Sequence, residues 1–127
     1  MTQSRAYRSD QMTDGQTPPL AHLEVTWFGS IMLAVLTGEI DRSNAGEIGD
    51  AVAKSAAAAT AIVVHLGELT YLDSAALTMV HKLALDGSAL CLVATPGSRA
   101  RRLIEIAGLD IVITIVSSTE EAIEKMS

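Results

Sequence analysis

Asp73 and Ser74 stand side by side where Leu69-Thr70-Tyr71-Leu72 gives way to a helix-like run, and chemistry is sought there first. An acidic residue next to a serine raises hydrolysis. A nucleophile elbow needs G-x-S-x-G, because its strained turn tolerates no side chains beside the serine. Leu72-Asp73-Ser74-Ala75-Ala76 has neither glycine. His81 lies two helical turns further on, a rise of about 10 Å that is too long for direct proton transfer. Thr95-Pro96-Gly97-Ser98-Arg99 lacks the glycine-lysine arrangement of a phosphate loop, and no G-x-G-x-x-G occurs. His22, His65 and His81 are scattered without ligand spacing, so no metal or cofactor is implied. Asp41 and Asp73 form a carboxylate pair if their loops meet.

What Asp73-Ser74 suits is a helix start. Either side chain can accept from the free N–H groups of a first turn. A serine there is exposed, and a phosphate on it is favoured by the helix dipole and the free amides. Phosphorylation adds roughly −1.5 to −2 charges. Beside Asp73 and Asp41 that charge is repelled, and it alters any surface offered to a partner.

The elements that must hold this pair follow from periodicity. Residues 1–20 (MTQSRAYRSDQMTDGQTPPL) are polar and close on Pro18-Pro19, which predicts a flexible tail ahead of a domain spanning 21–127. His22–Trp27 and Ile31–Thr37 read as strands joined by a hairpin at Phe28-Gly29-Ser30. A helix follows, with Ala45, Ile48, Val52, Ser55 or Ala56, and Ala59 on one face; Gly46 and Gly49 weaken it, which points to close packing on the sheet. Ala61–Leu66 is a buried strand. The helix after Ser74 turns Ala76, Leu77, Val80, Leu83 and Ala84 inward and stops at Gly87. Ala89–Ala94 is the next strand. A helix from Ser98 places Ala100, Leu103, Ile106 and Ala107 inward and closes at Gly108. Ile111–Val116 is the last strand, and Ser118-Thr119-Glu120-Glu121 is a capping box opening a final helix. The order β-β-α-β-α-β-α-β-α predicts an α/β fold: a mixed sheet with an opening antiparallel hairpin, then parallel strands, and about four helices.

The chain has 127 residues, 49% of them apolar and 3% aromatic, with a formal charge of −6 and a pI near 4.9. It suffices for one domain with an aliphatic core. Acidity excludes a duplex-binding footprint and the scarcity of aromatics a base-stacking reader, so no nucleic acid is expected. Arg99, Arg101 and Arg102 form the one local basic cluster and read as a solvated helix face. Cys91, the single cysteine, sits in an apolar run and reads as a buried structural thiol. No apolar stretch is long enough to cross a bilayer and no secretory signal opens the chain, so a cytoplasmic protein without membrane insertion is expected.

Several of these segments, taken in order, resemble the STAS family, specifically its anti-sigma factor antagonists, over roughly Leu23 to Lys125. Gly38-Glu39-Ile40-Asp41 looks like the family's G-E-L-D after the second strand. Val63-Val64-His65-Leu66 and then Leu69-Thr70-Tyr71-Leu72-Asp73-Ser74 look like its next strand and its D-S-S-G or D-S-T-G segment. Arg101–Leu109, ending in Gly108-Leu109, resembles its late helix, and Glu120-Glu121-Ala122 its last. The resemblance implies a non-enzymatic module that binds an anti-sigma factor with serine kinase activity and so releases a sigma factor. That kinase phosphorylates the serine matching Ser74, and a PP2C-type phosphatase reverses it. The implied partner surface comprises Asp41, Asp73, Ser74, Ala75, Leu77 and Thr78. The chain departs from the family at Ala75-Ala76, where a small or hydroxyl residue and a glycine are usual, and at His65, where Asp or Asn is usual. The alternative reading is a non-switching STAS subunit docking on an ATPase of a membrane transport complex.

Overall fold

The computed structural model describes residues 4–8 and 20–127. Among the described residues, seven strands make one sheet: β1 (Ser4–Arg8), β2 (Ala21–Phe28), β3 (Ile31–Ile40), β4 (Ala61–His65), β5 (Leu69–Leu72), β6 (Ala89–Val93) and β7 (Thr114–Val116). Helices α1 (Ala45–Ser55), α2 (Ser74–Leu85), α3 (Arg99–Ala107) and α4 (Thr119–Met126) connect or follow them. The sheet runs β1-β2-β3-β4-β6-β7, antiparallel through β3 and parallel beyond, with β5 paired to the far end of β3. This is the mixed α/β architecture the sequence predicts.

Local chemistry explains the elements. In β2, Ala21, Leu23 and Val25 are buried and His22 and Glu24 exposed, the period-two pattern of a strand with one dry face. Residues 31–34, 61–64 and 90–93 are buried throughout, as befits central strands covered on both sides. The β2–β3 hairpin turns on Gly29 and Ser30, and Gly29 takes the φ of +61° that the turn requires. The inward residues of α1, α2 and α3 join one core with Leu23, Met32, Leu36 and Val64. Those of α4 join a second, with Leu33, Val63, Cys91 and Val93 on the opposite face. Burial raises the Cys91 thiol pKa.

Four expectations are corrected. Residues 4–8 of the expected tail form β1, whose backbone pairs with the otherwise open edge of β2; residues 1–3 and 9–19 lie outside those described. Leu69–Leu72 is a strand and not a mere connection. Ile111 falls in a 3-10 turn (Leu109–Ile111), so β7 is only three residues long, and Ile111 and Val112 are 84% and 69% exposed. In α3 the buried pair is Ala100 and Ile104, an i, i+4 stripe with Leu103 beside it, while Ile106 is 75% exposed. The glycine stop holds: Gly108 adopts φ +76° and its N–H donates to the Glu105 and Ile104 carbonyls.

Candidate functional site

The site is built where β3 and β5 end together. They are parallel, with Glu39 opposite Tyr71 and Ile40 opposite Leu72. The next residue of each, Asp41 and Asp73, therefore leaves the sheet at the same carboxyl edge, where open α/β sheets place their ligand crevices. The two loops meet because of β5, the strand the sequence reading lacked.

The Asp41 loop is closed on itself. Asp41 Oδ1 accepts from the Ser43 N–H at 2.8 Å and from Ser43 Oγ at 2.5 Å. The Asp41 N–H donates to Asn44 Oδ1 and the buried Asn44 Nδ2 to the Glu39 carbonyl, both at 2.9 Å. The Ser43 hydroxyl is the main cause that holds the Asp41 carboxyl below its ordinary pKa, followed by the Ser43 N–H.

Across from it, Asp73 is the N-cap of α2 and its Oδ1 accepts from the Ala75 N–H at 2.9 Å. The Asp73 carbonyl accepts from the Ala76 N–H at 3.0 Å and from the Leu77 N–H at 3.4 Å. Ser74 is thus the first helical residue, exposed, and its hydroxyl makes no hydrogen bond among the described residues. Its backbone carbonyl accepts from Thr78 Oγ1 at 3.1 Å. The expectation that free amides await a phosphate on Ser74 is narrowed: Asp73 holds the first-turn amides of Ala75 and Ala76. A phosphoryl group on Ser74 would carry its charge outward.

Outward is an open groove of about 910 Å³ between α1 and α2. Asp41, Arg42, Ser43, Gly46 and Asp50 line one side; Tyr71, Asp73, Ser74, Ala75, Thr78, Lys82 and Asp86 line the other. Its carboxylates outnumber its cations. The helices approach through Gly49, where a Cβ would stand 2.9 Å from Met79 Cγ; Gly46 has nothing within 4 Å. Gly49 therefore serves the contact of α1 with α2 and not a close fit to the sheet, and Gly46 serves neither. Of the six residues assigned to the partner surface, Asp41, Asp73, Ser74, Ala75 and Thr78 line this groove. Leu77 does not: it is 9% exposed and packed in the core, because the helical period that turns Ser74 and Thr78 out turns Leu77 in. The α1 wall and Tyr71 were missed; the signals in sequence were Gly46-x-x-Gly49 and an aromatic three residues before Ser74.

Other candidate groups fall elsewhere. His65 Nδ1 accepts from the Gly67 N–H at 3.1 Å, a satisfied structural role. Arg101 Nη1 donates to the Ala94 carbonyl at 2.9 Å and Nε pairs with Glu105 at 3.2 Å, leaving Arg99 and Arg102 exposed. Among the described residues no group of three His, Cys, Asp or Glu could hold a metal ion. No described helix is long and apolar enough to cross a membrane.

Residues 29–116, more than half of the chain, match the family model described as "Mlab, STAS domain". The chain belongs to the STAS family. Its fold is shared with an anti-sigma factor antagonist from Mycobacterium paratuberculosis, at 21% identity over 84% of this chain and 93% of that one, TM-score 0.74. It is shared with the anti-sigma factor antagonist SpoIIAA in its unphosphorylated form, at 19% identity over 81% and 94%, TM-score 0.63. SpoIIAA described as a Bacillus cell fate determinant, in the phosphorylated form, aligns at 20% identity over 83% and 99%, TM-score 0.58. No curated protein sequence matches the chain.

Proposed function

We propose that this protein is a phosphorylation-switched anti-sigma factor antagonist, acting in the cytoplasm without catalysis of its own. It binds an anti-sigma factor with serine kinase activity and so releases a sigma factor. The kinase phosphorylates Ser74, and a PP2C-type phosphatase restores the binding form. The observation that carries this reading is the unbonded Ser74 hydroxyl at the first position of α2, opening on a groove lined by Asp41 and Asp73. A phosphoryl group there adds roughly −1.5 to −2 charges to a surface already rich in carboxylates, with the amides of Ala75, Ala76 and Leu77 held by Asp73. The partner surface is Asp41, Asp73, Ser74, Ala75 and Thr78, framed by the α1 wall. That SpoIIAA is described in unphosphorylated and phosphorylated forms on this same fold agrees with it.

Incubation with its anti-sigma factor kinase and ATP should add one phosphate, read by intact-mass spectrometry, and Ser74→Ala should add none. Labelling of the Ala variant at one site would remove the assignment. The match to a STAS domain model is equally compatible with a second reading, a non-switching subunit docking on an ATPase of a membrane transport complex through the same groove. Binding to a purified transporter ATPase that is indifferent to Ser74→Asp would decide for it.

A further inference from the structure

The chain holds one Trp, two Tyr and one Phe. Trp27 and Phe28 are partly buried against the two cores, whereas Tyr71 is 41% exposed and lines the groove three residues before Ser74. It is presented from a strand: its register opposite Glu39 fixes the backbone, and the neighbouring Thr70 hydroxyl donates to the Gly38 carbonyl at 3.1 Å. Its phenol makes no hydrogen bond among the described residues. A tyrosine has few rotamers to lose, and an exposed aromatic presented from a strand among polar residues is the composition of a binding hot spot. Here those residues are Asp41, Asp73 and Ser74.

Resting on the antagonist reading, we infer that Tyr71 is the anchor of the interface, its ring entering an apolar seat on the anti-sigma factor. Seating the ring expels water from the groove, which Ser74 also lines. A neutral hydroxyl tolerates that; a phosphoryl group resists desolvation strongly. The anchor and the switch therefore act on one event, and phosphorylation defeats binding by keeping the ring wet.

The experiment titrates the purified anti-sigma factor kinases of the source genome, one at a time, with wild-type protein, Tyr71→Thr, Tyr71→Phe, Ser74→Asp and Ile111→Ala. Thr keeps the strand's β-branched preference, so β5 survives the change; equal thermal unfolding midpoints verify it. Tyr71→Thr should weaken binding about 30-fold, within the range of hot-spot truncations. Tyr71→Phe should stay within about threefold of wild type, because the ring body makes the contact. Ile111→Ala removes a still more exposed apolar side chain outside the groove and should leave affinity unchanged. Wild-type affinity for Tyr71→Thr, with Ser74→Asp weakened, overturns the anchor and leaves the antagonist reading standing. A Phe variant as weak as the Thr variant overturns the apolar seat. Wild-type protein that binds none of the kinases overturns the antagonist reading and the anchor with it.

Discussion

The start of α2 and the starts of α3 and α4 all place a serine at the helix boundary, and the difference lies in what the serine is used for. Ser98 caps α3, its Oγ accepting from the Arg101 N–H at 3.2 Å. Ser118 caps α4, its Oγ accepting from the Glu121 N–H at 3.1 Å, and Glu121 Oε1 reaches back to the Ser117 N–H at 3.2 Å. At α2 the capping work is done by Asp73, and the serine is displaced by one residue into the helix. That displacement leaves its hydroxyl without an intramolecular role. A capping serine is tied to the backbone it stabilises; a serine behind a capping aspartate is available to another molecule.

Replacing the caps tests this most strongly. Asp73→Ala should cost about 1 kcal/mol, and Ser98→Ala and Ser118→Ala a similar amount, read as shifts in the urea midpoint at unchanged slope. The opposite wall of the groove gives the next effect. Gly46→Ala, with open space around it, should stabilise the protein by about 0.5–1 kcal/mol through helix propensity. Gly49→Ala should lose that gain, since its methyl meets the buried Met79. Equal gains at both positions would mean that α1 and α2 do not touch there. Ser74→Ala should change stability by less than about 0.5 kcal/mol. A cost matching Ser98→Ala would mean that the hydroxyl is engaged, and the contrast between the helix starts would collapse.

The smallest effect is one of pH. Asp41 has a lowered pKa in the folded protein, so below the ordinary aspartate range the unfolded chain binds the extra proton. Its contribution to stability is present above that range and fades as pH falls through the folded value. Ser43→Ala should bring the Asp41 titration, followed by NMR, back toward its ordinary position and flatten the acid limb of the stability curve. An unmoved titration would place the cause elsewhere in the loop.

The sequence was most legible where local chemistry decides. Gly108 and Ser118-Glu121 mark helix boundaries because caps need only neighbouring residues, and the short aliphatic, partly β-branched runs at β4 and β6 read as buried strands. It was least legible where pairing decides. Leu69–Leu72 holds just four residues, two of them exposed, and becomes a strand only because the tail of β3 offers an unpaired edge. The polar Ser4–Arg8 segment likewise follows the edge of β2. Ser74 was readable as a helix-start serine, yet which of two adjacent capping residues would take the amides is settled only by geometry. The Gly49–Met79 contact, and hence the groove, joins residues thirty positions apart. Leu77 shows the opposite case: its own helical period places it inward, and only the family resemblance assigned it to the surface.

Under the proposed function, the Ser74 hydroxyl is free until a phosphoryl group esterifies its oxygen. Isothermal titration of the anti-sigma factor with the protein before and after stoichiometric phosphorylation of Ser74 tests this directly. Affinity should fall at least about tenfold on phosphorylation, a change of roughly 1.4 kcal/mol. Equal affinity of the two forms would contradict the account.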